Sequence, residues 1–445
     1  MAVTTPDEWL PILAKRLDDR YPRVVLLRSY ASGNPPLPEM GQNVRASWIA
    51  FQRKACTNYG ELAISSLGGR IKFNGIRVGE SSDTPAAIAA RRVWRDNRMG
   101  IVVADAIENY LTCGVAYLVT GLGSEGAVVS SEDPEQSIAA PDPLRPWKAR
   151  AYLKVWRDSD AGNDYAYVYA SGLRQKYVRT SFNEKLQIRA SNAGAWTLDG
   201  PVEVYAGDPP VVILERKNGV GFLEPHLSVI DRINLGKLQR LVITAMQAFR
   251  QRGLKGGLPT EDENGNQIDF KEVFSPAPGA LWDIPEGIDV WESQTADLTP
   301  LLAGEKTDAR DFAAVTRTPV SALLPDGENQ SAEGAAAAKE GQIAQAEKEL
   351  ERLRPAIEVA IVYALRAEGI DLGADTVELL NVPPAHVSLS EKYDAASKAI
   401  AVQSRKTIQR DILGMSPDQI SEDEADRALE QLQAFTLTGG TDGGA

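Results

Sequence analysis

Apolar residues recur at every third or fourth position through a long stretch in the middle of the chain, which predicts a helix with one packing face. We predict this helix from Pro225 to Gly253. A rod of about 27 residues is about 40 Å long at about 1.5 Å per residue. Its apolar stripe consists of Leu227, Ile230, Ile233, Leu238, Leu241, Ala245 and Phe249.

A second helix is predicted from Thr299 to Thr318. Thr299 followed by Pro300 is typical of a helix start, because the hydroxyl caps the first turn and the ring fits the first helical position. We expect the two helices to run back along each other. Such a pair suits a wall or a stalk better than a compact enzyme core.

A third helix follows an exposed loop, Ser321 to Gln330, and contains Pro355. A proline inside a helix removes a hydrogen-bond donor and costs roughly 3 kcal/mol unless a kink relieves the clash. We therefore predict a bend near Leu350 to Pro355. The stripe of this helix consists of Ile343, Ala346, Leu350, Leu353, Ile357, Ala360 and Ala364.

Between the first two helices lies a short acidic insertion with two predicted strands, Phe270–Phe274 and Ile288–Trp291. It is too small for an independent core of any depth. We therefore expect it to contact another subunit rather than to catalyse a reaction.

The first half of the chain predicts helices followed by an antiparallel sheet. A glycine-rich strand and turn, Gly68–Gly75, separates two of the helices, and Ser124–Pro146 is interpreted as a surface loop. The predicted helices are Thr5–Arg28, Val44–Leu67 and Ala86–Val119. The predicted strands are Ala116–Thr120, Tyr152–Trp156, Tyr165–Tyr169, Tyr177–Arg179, Leu186–Arg189 and Val202–Tyr205.

The end of the chain predicts one strand and then helices. Ser421 and Glu424 match the spacing of a capping box. The predicted elements are a strand over Val377–Val382, helices over Ser390–Ser404, Thr407–Leu413 and Ser421–Phe435, and a disordered tail over Gly439–Ala445.

The composition is that of a globular chain, with 445 residues, 43% of them apolar and 24% charged. That length suffices for two or more domains. The longest apolar runs, such as Val211–Leu214, are far shorter than the roughly 18 residues of a membrane span. Met1–Trp9 lacks the basic and apolar regions of a secretory signal. We expect no membrane contact and a chain made and kept in a cytosol.

Chemistry-bearing residues are few. Cys56 and Cys113 have no CxxC spacing, so two reduced core thiols are expected rather than a disulfide or a metal site. His226 and His386 are the chain's two histidines, and neither has a nucleophile motif such as GxSxG around it. We predict no catalytic, cofactor-binding or metal-binding residues.

The charge is acidic overall and unevenly placed. A net charge of −13 argues against a protein that grips nucleic acid, because Lys and Arg supply most of that affinity. Gly256–Ala296 carries nine acids against Lys271, whereas Arg45–Arg98 carries ten basic residues against four acidic ones. Opposite blocks indicate neighbouring copies or a partner. Solvated faces without a partner are the alternative.

Six stretches, in a fixed order along the chain, carry a resemblance to a known family. They are Ser29–Pro38, Asn58–Gly75, Val93–Asn97 with Gly114 downstream, Pro209–Ile213, Asp326–Glu333 and Leu413–Ile420. In this order they resemble the portal protein family of tailed bacteriophages, the head-to-tail connector through which DNA is packaged. In the first stretch Ser29 stands where that family usually has a tyrosine. The likeness runs from about Leu10 to Leu432.

The resemblance implies an α+β, portal-like fold. Its parts are a mixed α/β wing domain, a helical stem, a small α/β clip insertion and a helical C-terminal crown. The implied division is 1–224 for the N-terminal part of the wing, 225–253 for a stem helix, 254–298 for the clip, 299–320 for the second stem helix, 321–330 for the tunnel loop, 331–385 for the kinked helix and wing return, and 386–445 for the helical crown and disordered tail.

The resemblance also implies the function. It is a ring-shaped channel at one capsid vertex for DNA packaging and ejection, which docks terminase and then head-completion and tail proteins. The implied partners are further copies in a ring of twelve, double-stranded DNA, terminase, the major capsid protein and head-completion or connector proteins. The implied location is the virion, with assembly in the host cytoplasm. No cofactor and no enzymatic activity are implied.

The candidate channel residues follow from this division. A conduit must surround phosphates without holding them, because each neutralised phosphate adds affinity that retards sliding. Acids in the loop would repel a duplex, and its apolar residues give a neutral surface. The candidate tunnel-loop residues are Leu323, Leu324, Pro325, Asp326, Gly327, Glu328 and Asn329. Candidate phosphate contacts on the stem are Lys237, Arg240, Arg250 and Arg252, for which a solvated or salt-bridged outer face is the alternative.

Two other functions remain open at this point. The 61 acidic residues could include the carboxylates of a metal-dependent nuclease or hydrolase. Clusters such as Glu261–Glu263 argue against this, because consecutive residues point in different directions. The third possibility is a different virion adaptor or scaffold protein built from the same helices.

Overall fold

The computed structural model describes residues 4–38, 46–79, 84–181, 190–191, 196–248, 252–255, 289–292, 296–324, 332–385, 388–415 and 417–438. The chain divides into two compact units. The first comprises Met1–Pro36, Thr57–Ile230 and Ala309–Ala445, and the second Leu37–Cys56 and Asp231–Asp308.

The described part of the chain is a mixed α+β structure in which more residues lie in helices than in strands. Two short 3₁₀ turns, Lys217–Gly219 and Glu224–His226, precede the long central helix. The helices are α1 Pro6–Ala31, α2 Ala46–Ala55, α3 Tyr59–Gly68, α4 Pro85–Asp96, α5 Met99–Cys113, α6 Leu227–Ala248, α7 Thr299–Thr316, α8 Val320–Leu323, α9 Ala332–Ala367, α10 Leu389–Ala399, α11 Arg405–Asp411 and α12 Pro417–Thr438.

Four antiparallel sheets are present among the described residues. Their strand orders are β4-β5-β6-β7-β8 with β9 also paired to β7, β10-β2-β3, β1-β13 and β11-β12. The strands are β1 Phe73–Val78, β2 Val115–Gly123, β3 Gly126–Glu132, β4 Ser137–Pro141, β5 Ala149–Asp158, β6 Asn163–Ala170, β7 Leu173–Thr180, β8 Thr197–Leu198, β9 Glu203–Val204, β10 Val211–Glu215, β11 Arg252–Lys255, β12 Asp289–Glu292 and β13 Val377–Asn381.

The largest core lies where α1 packs on one face of the six-stranded sheet. Helix α1 begins with a capping box between Thr5 and Glu8, which satisfies free backbone donors of its first turn. Leu13 and Leu153 are fully buried there. The strand predictions for β2, β5, β6 and β7 are confirmed. Burial alternates along most of β6 and β7, whereas the first four residues of β2 are all buried. The predicted strand Leu186–Arg189 lies outside the described residues.

A second core joins the six-stranded sheet to the three-stranded sheet, and it is rich in tyrosine. Its buried residues are Val115, Tyr117, Ala149, Tyr152, Tyr169, Val211 and Ile213. Helix α9 packs against β2 and β10. Its predicted apolar stripe is confirmed, since Ala346, Leu350 and Ile357 are buried. The helix continues through Pro355, and the predicted bend remains a prediction.

The predicted single helix Ala86–Val119 is wrong. It is two helices and a strand, because Arg98 adopts a left-handed backbone conformation (φ 49°) between α4 and α5. Gly114 ends α5 with φ 81°. A Cβ at Gly114 would lie 2.2 Å from the carbonyl oxygen of Gly219, so only glycine fits this turn into β2. The predicted helix Val44–Leu67 is likewise interrupted, between Ala55 and Tyr59.

The predicted surface loop Ser124–Pro146 is also wrong, since it contains β3 and β4. Strand β3 forms a hairpin with β2, and β4 pairs with β5. Serine and alanine occupy half of their positions, and Val128, Val129 and Ile138 are the branched residues, so the signal that usually marks strands is weak here.

Helix α7 begins at Thr299, as predicted. The polar side chain at its start is that of Asp297, because the Thr299 backbone N–H donates to Asp297 Oδ1 at 2.9 Å. Ser421 lies inside α12, so the predicted capping box is wrong. The capping box of this region pairs Ser388 with Glu391 at the start of α10. The strand prediction for Val377–Val382 is confirmed by β13, whereas the tail Gly439–Ala445 lies outside the described residues.

The second unit contains α2, most of α6, the strand pair β11–β12 and the first part of α7. The predicted helix Pro225–Gly253 is too long at its end, since Arg252 and Gly253 belong to β11. Helix α6 spans Leu227–Ala248. At about 1.5 Å per residue, α6 is about 33 Å long. The strand predicted at Ile288–Trp291 agrees with β12, whereas Phe270–Phe274 lies outside the described residues.

Candidate nucleic-acid interface

In the second unit, α6 and α7 run antiparallel, and polar contacts join them along their length. Arg232 Nε lies 3.0 Å from Asp308 Oδ1. Further along, the Gln247 side-chain amide donates to the Ala296 carbonyl at 3.1 Å. Higher numbers on α6 therefore meet lower numbers on α7. This is the arrangement expected for two stem helices joined by an insertion at their far end.

Two of the four candidate phosphate-binding residues are described in this helix pair. Arg240 Nε lies 2.6 Å from Glu305 Oε1 on α7 and forms an ion pair with it. Lys237 is half-buried one turn earlier. Burial lowers the pKa of Lys237 because it disfavours the ammonium form, and Arg240 acts in the same direction, while Glu305 opposes the shift. The structure therefore brings Lys237 and Arg240 together around one carboxylate.

The other two candidate phosphate contacts are Arg250 and Arg252. Arg250 lies outside the described residues, and Arg252 is described in its backbone as the first residue of β11. A shared carboxylate halves the net positive charge of the Lys237–Arg240 pair. A light phosphate contact is compatible with this arrangement, and so is a salt-bridged face.

The candidate tunnel loop is described at its beginning. Leu323 closes the short helix α8 and is buried, and Leu324 is partly buried. Both leucines therefore anchor the loop start in the first unit. The remaining candidates, Pro325, Asp326, Gly327, Glu328 and Asn329, lie outside the described residues.

Helix α7 is packed unevenly along its length. Its second half contains the buried residues Ala309, Phe312, Ala313 and Thr316. From Thr299 to Asp308, each residue is exposed or only partly buried. Leu302, in the middle of that stretch, is 45% exposed. An apolar side chain is thus left open on the helix pair.

The C-terminal helices are open in a similar way. Residues 424–434 of α12 are all exposed, with Leu429 at 58% and Leu432 at 64%. Leu389 and Tyr393 of α10 lie one helical turn apart, and both are strongly exposed. Contiguous exposed apolar residues are typical of surfaces that contact another protein.

The basic block of the sequence lies partly on α4, as predicted. Arg92 pairs with Glu368, and Arg95 pairs with its neighbour Asp96. Both arginines and Arg98 are exposed. The acidic block Gly256–Ala296 lies largely outside the described residues, so the predicted meeting of the two blocks stays a prediction.

The cysteines and histidines are the next candidate reactive groups. Cys113 is buried and Cys56 is partly buried, both as free thiols. His226 lies in a 3₁₀ turn, where burial and then the nearby Arg216 lower its pKa. His386 lies outside the described residues. Across the described ranges, no group of three or more His, Cys, Asp and Glu side chains could hold a metal ion. No helix in those ranges is long and apolar enough to cross a membrane.

One polar pocket was missed by the sequence reasoning. It lies in the first unit between the end of β9 and α9 and includes Tyr205, Tyr363 and Arg366. These residues are far apart in sequence, and no spacing rule relates them. Single tyrosines and arginines are common, so no sequence signal could have identified this site.

No family model and no curated protein matches the chain. Solved structures are similar to it at low sequence identity. A structure of the virion of a native gene transfer agent particle contains a chain 14% identical, with a TM-score of 0.45, and the match covers 88% of this chain and 98% of that chain.

Two further structures are similar. The neck of the native gene transfer agent particle, computed with C12 symmetry, is 12% identical, with a TM-score of 0.43 and coverage of 87% of this chain and 97% of that one. A crystal structure of an HK97 family phage portal protein from Corynebacterium diphtheriae is 12% identical, with a TM-score of 0.34 and coverage of 72% and 90%. Each TM-score is below 0.5, so these similarities assign no function to this chain.

Proposed function

We propose that this chain is the subunit of a phage-type portal, a ring whose central channel passes double-stranded DNA. The proposal starts from the order of elements. A mixed α/β region precedes α6, a strand pair lies between α6 and α7, and α8 leads to the loop before α9. That order matches the wing, stem, clip, stem and tunnel loop implied by the sequence resemblance.

The observation that carries the proposal is the open half of α7. Helices in globular proteins gain most of their stability from packing an apolar face, yet Thr299–Asp308 has no fully buried residue. Leu302 faces solvent there in the single chain. A neighbouring copy would cover this stretch. Exposed Leu429 and Leu432 on α12 support the same reading at a second place.

A ring would result if each copy covers the exposed surfaces of the next one. When one surface of a subunit contacts a different surface of the next copy, the contacts repeat until the ring closes. The C-terminal helices and the helix pair would then be finished by neighbours. In this proposal the ring has twelve copies and occupies one vertex of the capsid, after assembly in the host cytoplasm.

The charge pattern suits a conduit rather than a clamp. Non-specific DNA affinity comes from phosphates neutralised by Lys and Arg. Arg240 is already paired with Glu305, and the lysine beside it is partly desolvated. If this face lines the channel, the positive charge that each subunit presents to the phosphates would be partly neutralised by Glu305. The loop residues Asp326 and Glu328 would add repulsion.

The remaining parts would dock the partners. The insertion between α6 and α7 would contact terminase during packaging and head-completion or connector proteins afterwards. The outer surface of the ring would contact the major capsid protein. These assignments follow from the resemblance and from the position of the insertion at the far end of the helix pair.

The proposal is tested by measuring the mass of the purified chain over a range of protein and salt concentrations, with negative-stain images of the same samples. We expect a closed ring with a central opening. A chain that stays monomeric under every condition would overturn the proposal. Metal-dependent DNA cleavage that disappears when two specific acids are replaced would instead favour a nuclease.

A further inference from the structure

Helix α10 carries a stripe of apolar residues, and its three large side chains are strongly exposed. The α10 stripe consists of residues at spacings of four, three and four: Leu389, Tyr393, Ala396 and Ile400. These spacings place all four side chains on one side of a helix. Leu389 is 72% exposed, Tyr393 62% and Ile400 70%. Ile400 follows the last helical residue and keeps helical backbone angles, so it continues the stripe.

Helix α12 carries a second exposed stripe. The α12 stripe consists of residues at spacings of four and three: Ala425, Leu429 and Leu432. The helix is attached to α11 by other residues. Lys406 Nζ lies 2.9 Å from Glu424 Oε1, and the Gln409 side-chain amide donates to Asp423 Oδ2 at 2.6 Å. These contacts within one chain leave Leu429 facing solvent.

The two stripes have matching geometry. Apolar residues that alternate at spacings of three and four form the seam along which two helices interlock their side chains. Both helices belong to the first unit of the chain, and both stripes are exposed in that unit. A helix that covers either stripe must therefore come from another molecule.

Charge favours one pairing of the stripes over another. Helix α12 contains six acidic residues against Arg427, and Glu422 and Asp426 lie beside its stripe. Two α12 helices packed together would set these acids against each other, which costs free energy. The segment Ser388–Ile412, with α10 and α11, has five basic residues against three acidic ones. The acidic α12 therefore suits α10 better than a second α12.

We propose that the α12 stripe of one copy packs against the α10 stripe of the next copy. The inference rests on the proposed function, because the ring supplies the next copy. It adds which two surfaces meet. Since the two stripes are different surfaces of one chain, the contact repeats from copy to copy and is compatible with a closed ring.

Cross-linking of the full-length protein tests this contact. The variant carries Tyr393→Cys and Leu429→Cys together, and Cys56→Ser removes the partly buried natural thiol, while Cys113 is fully buried. The two new cysteines lie in the middle of their stripes, so they are close whichever way the helices run. A short bismaleimide should yield a ladder of linked copies on a denaturing gel. A co-assembled mixture of the two single variants should yield linked pairs only.

The matched control carries Lys398→Cys and Ala434→Cys in the same background. Each of these exposed residues lies two positions beyond a stripe residue, which turns it about 200° around the helix and away from the seam. The control should yield no ladder.

Truncation of the stripes gives a second measurement. Tyr393→Ala and Leu429→Ala should each raise the protein concentration needed for half-maximal assembly about tenfold, as expected for side chains at the centre of an interface. The control Lys398→Ala should leave it unchanged. Because both stripe residues are exposed in the single chain, the thermal midpoint of the unassembled variants should not change.

The mass of the unmodified chain, measured first, separates the possible failures. A chain that never assembles overturns the proposed function and this inference with it. Rings in which the stripe cysteines link no better than the control overturn this inference alone. Linked pairs from either single variant by itself would mean that a stripe contacts its own copy in the neighbour, and they also overturn it.

Discussion

The six-stranded sheet with α1 and the antiparallel pair α6–α7 gain their stability in different ways. In the sheet region, Leu13 and Leu153 are fully buried, and the charged Asp164 is surrounded by hydrogen-bonding groups. In the helix pair, polar contacts join the two helices, such as the ion pair of Arg240 with Glu305. The sheet region is completed within one chain. The stretch Thr299–Asp308 has no fully buried residue.

This difference separates two kinds of substitution. Changes in the sheet region should lower the stability of the isolated chain. Changes on the open face of the helix pair should leave the isolated chain almost unaffected and act on assembly. Four predictions test this division, from the largest expected effect to the smallest.

Asp164→Asn should destabilise the isolated chain by about 4 kcal/mol, because removing one partner of a buried ion pair leaves uncompensated charge. Asp164 Oδ1 lies 2.7 Å from Arg157 Nε, and its Oδ2 lies 3.2 Å from Arg179 Nη2. Urea unfolding measures the change. The control Asp160→Asn, at an exposed turn, should stay within about 0.5 kcal/mol. Equal effects of both would contradict the buried pairing.

Leu13→Ala should cost about 3 kcal/mol in the same experiment, because it leaves a cavity between α1 and the sheet. The matched variant is Leu302→Ala on α7, where the side chain is 45% exposed. We expect less than about 0.5 kcal/mol for the isolated chain and weaker assembly. A large loss of chain stability in Leu302→Ala would remove the contrast between the two regions.

The contribution of Asp164 should depend on pH. Burial acts to raise its pKa, but hydrogen bonds from Arg157 and Ser181 and the charges of Arg157 and Arg179 outweigh it, so the pKa is lowered from 3.8. A carboxyl group whose pKa is lower in the folded state stabilises the fold at pH values above its unfolded pKa. This stabilisation is lost as the pH falls from the unfolded pKa through the folded one. The stability gap between the natural chain and Asp164→Asn should thus narrow below about pH 3.8. A gap that stays constant down to pH 2 would refute the shift.

Arg240→Gln should cost only about 0.5 kcal/mol, because partly exposed ion pairs contribute little. Added salt should reduce the difference further. The double variant Arg240→Glu with Glu305→Arg serves as the control and should recover part of the loss. If Arg240→Gln destabilised the chain by more than Leu13→Ala, the helix pair would depend on this contact more than we infer.

The sequence predicted the two long helices because their apolar stripes are regular. It also predicted the strands with branched and aromatic residues, such as β5 and β6. It missed β3 and β4, in which half of the residues are serine or alanine and which form strands because β2 and β5 offer edges to pair with. The break at Arg98 depends on one left-handed residue that the periodicity does not show.

The sequence identified the basic residues of the candidate interface, because they lie on a predicted helix, but it did not identify the residue that they contact. Lys237 and Arg240 were identified, but their common neighbour Glu305 is 65 residues away from Arg240 in the chain. The pocket formed by Tyr205, Tyr363 and Arg366 depends on tertiary packing alone. Pairings of this kind become visible once the helices and strands are placed.

Electron cryo-microscopy of the assembled particle, at a resolution that shows side chains, tests the central claim most directly. We predict a closed ring with an axial passage wide enough for B-form DNA and with Leu302 and Leu429 covered by neighbouring copies. A particle without a central passage, or one in which both leucines remain exposed to solvent, would contradict the account.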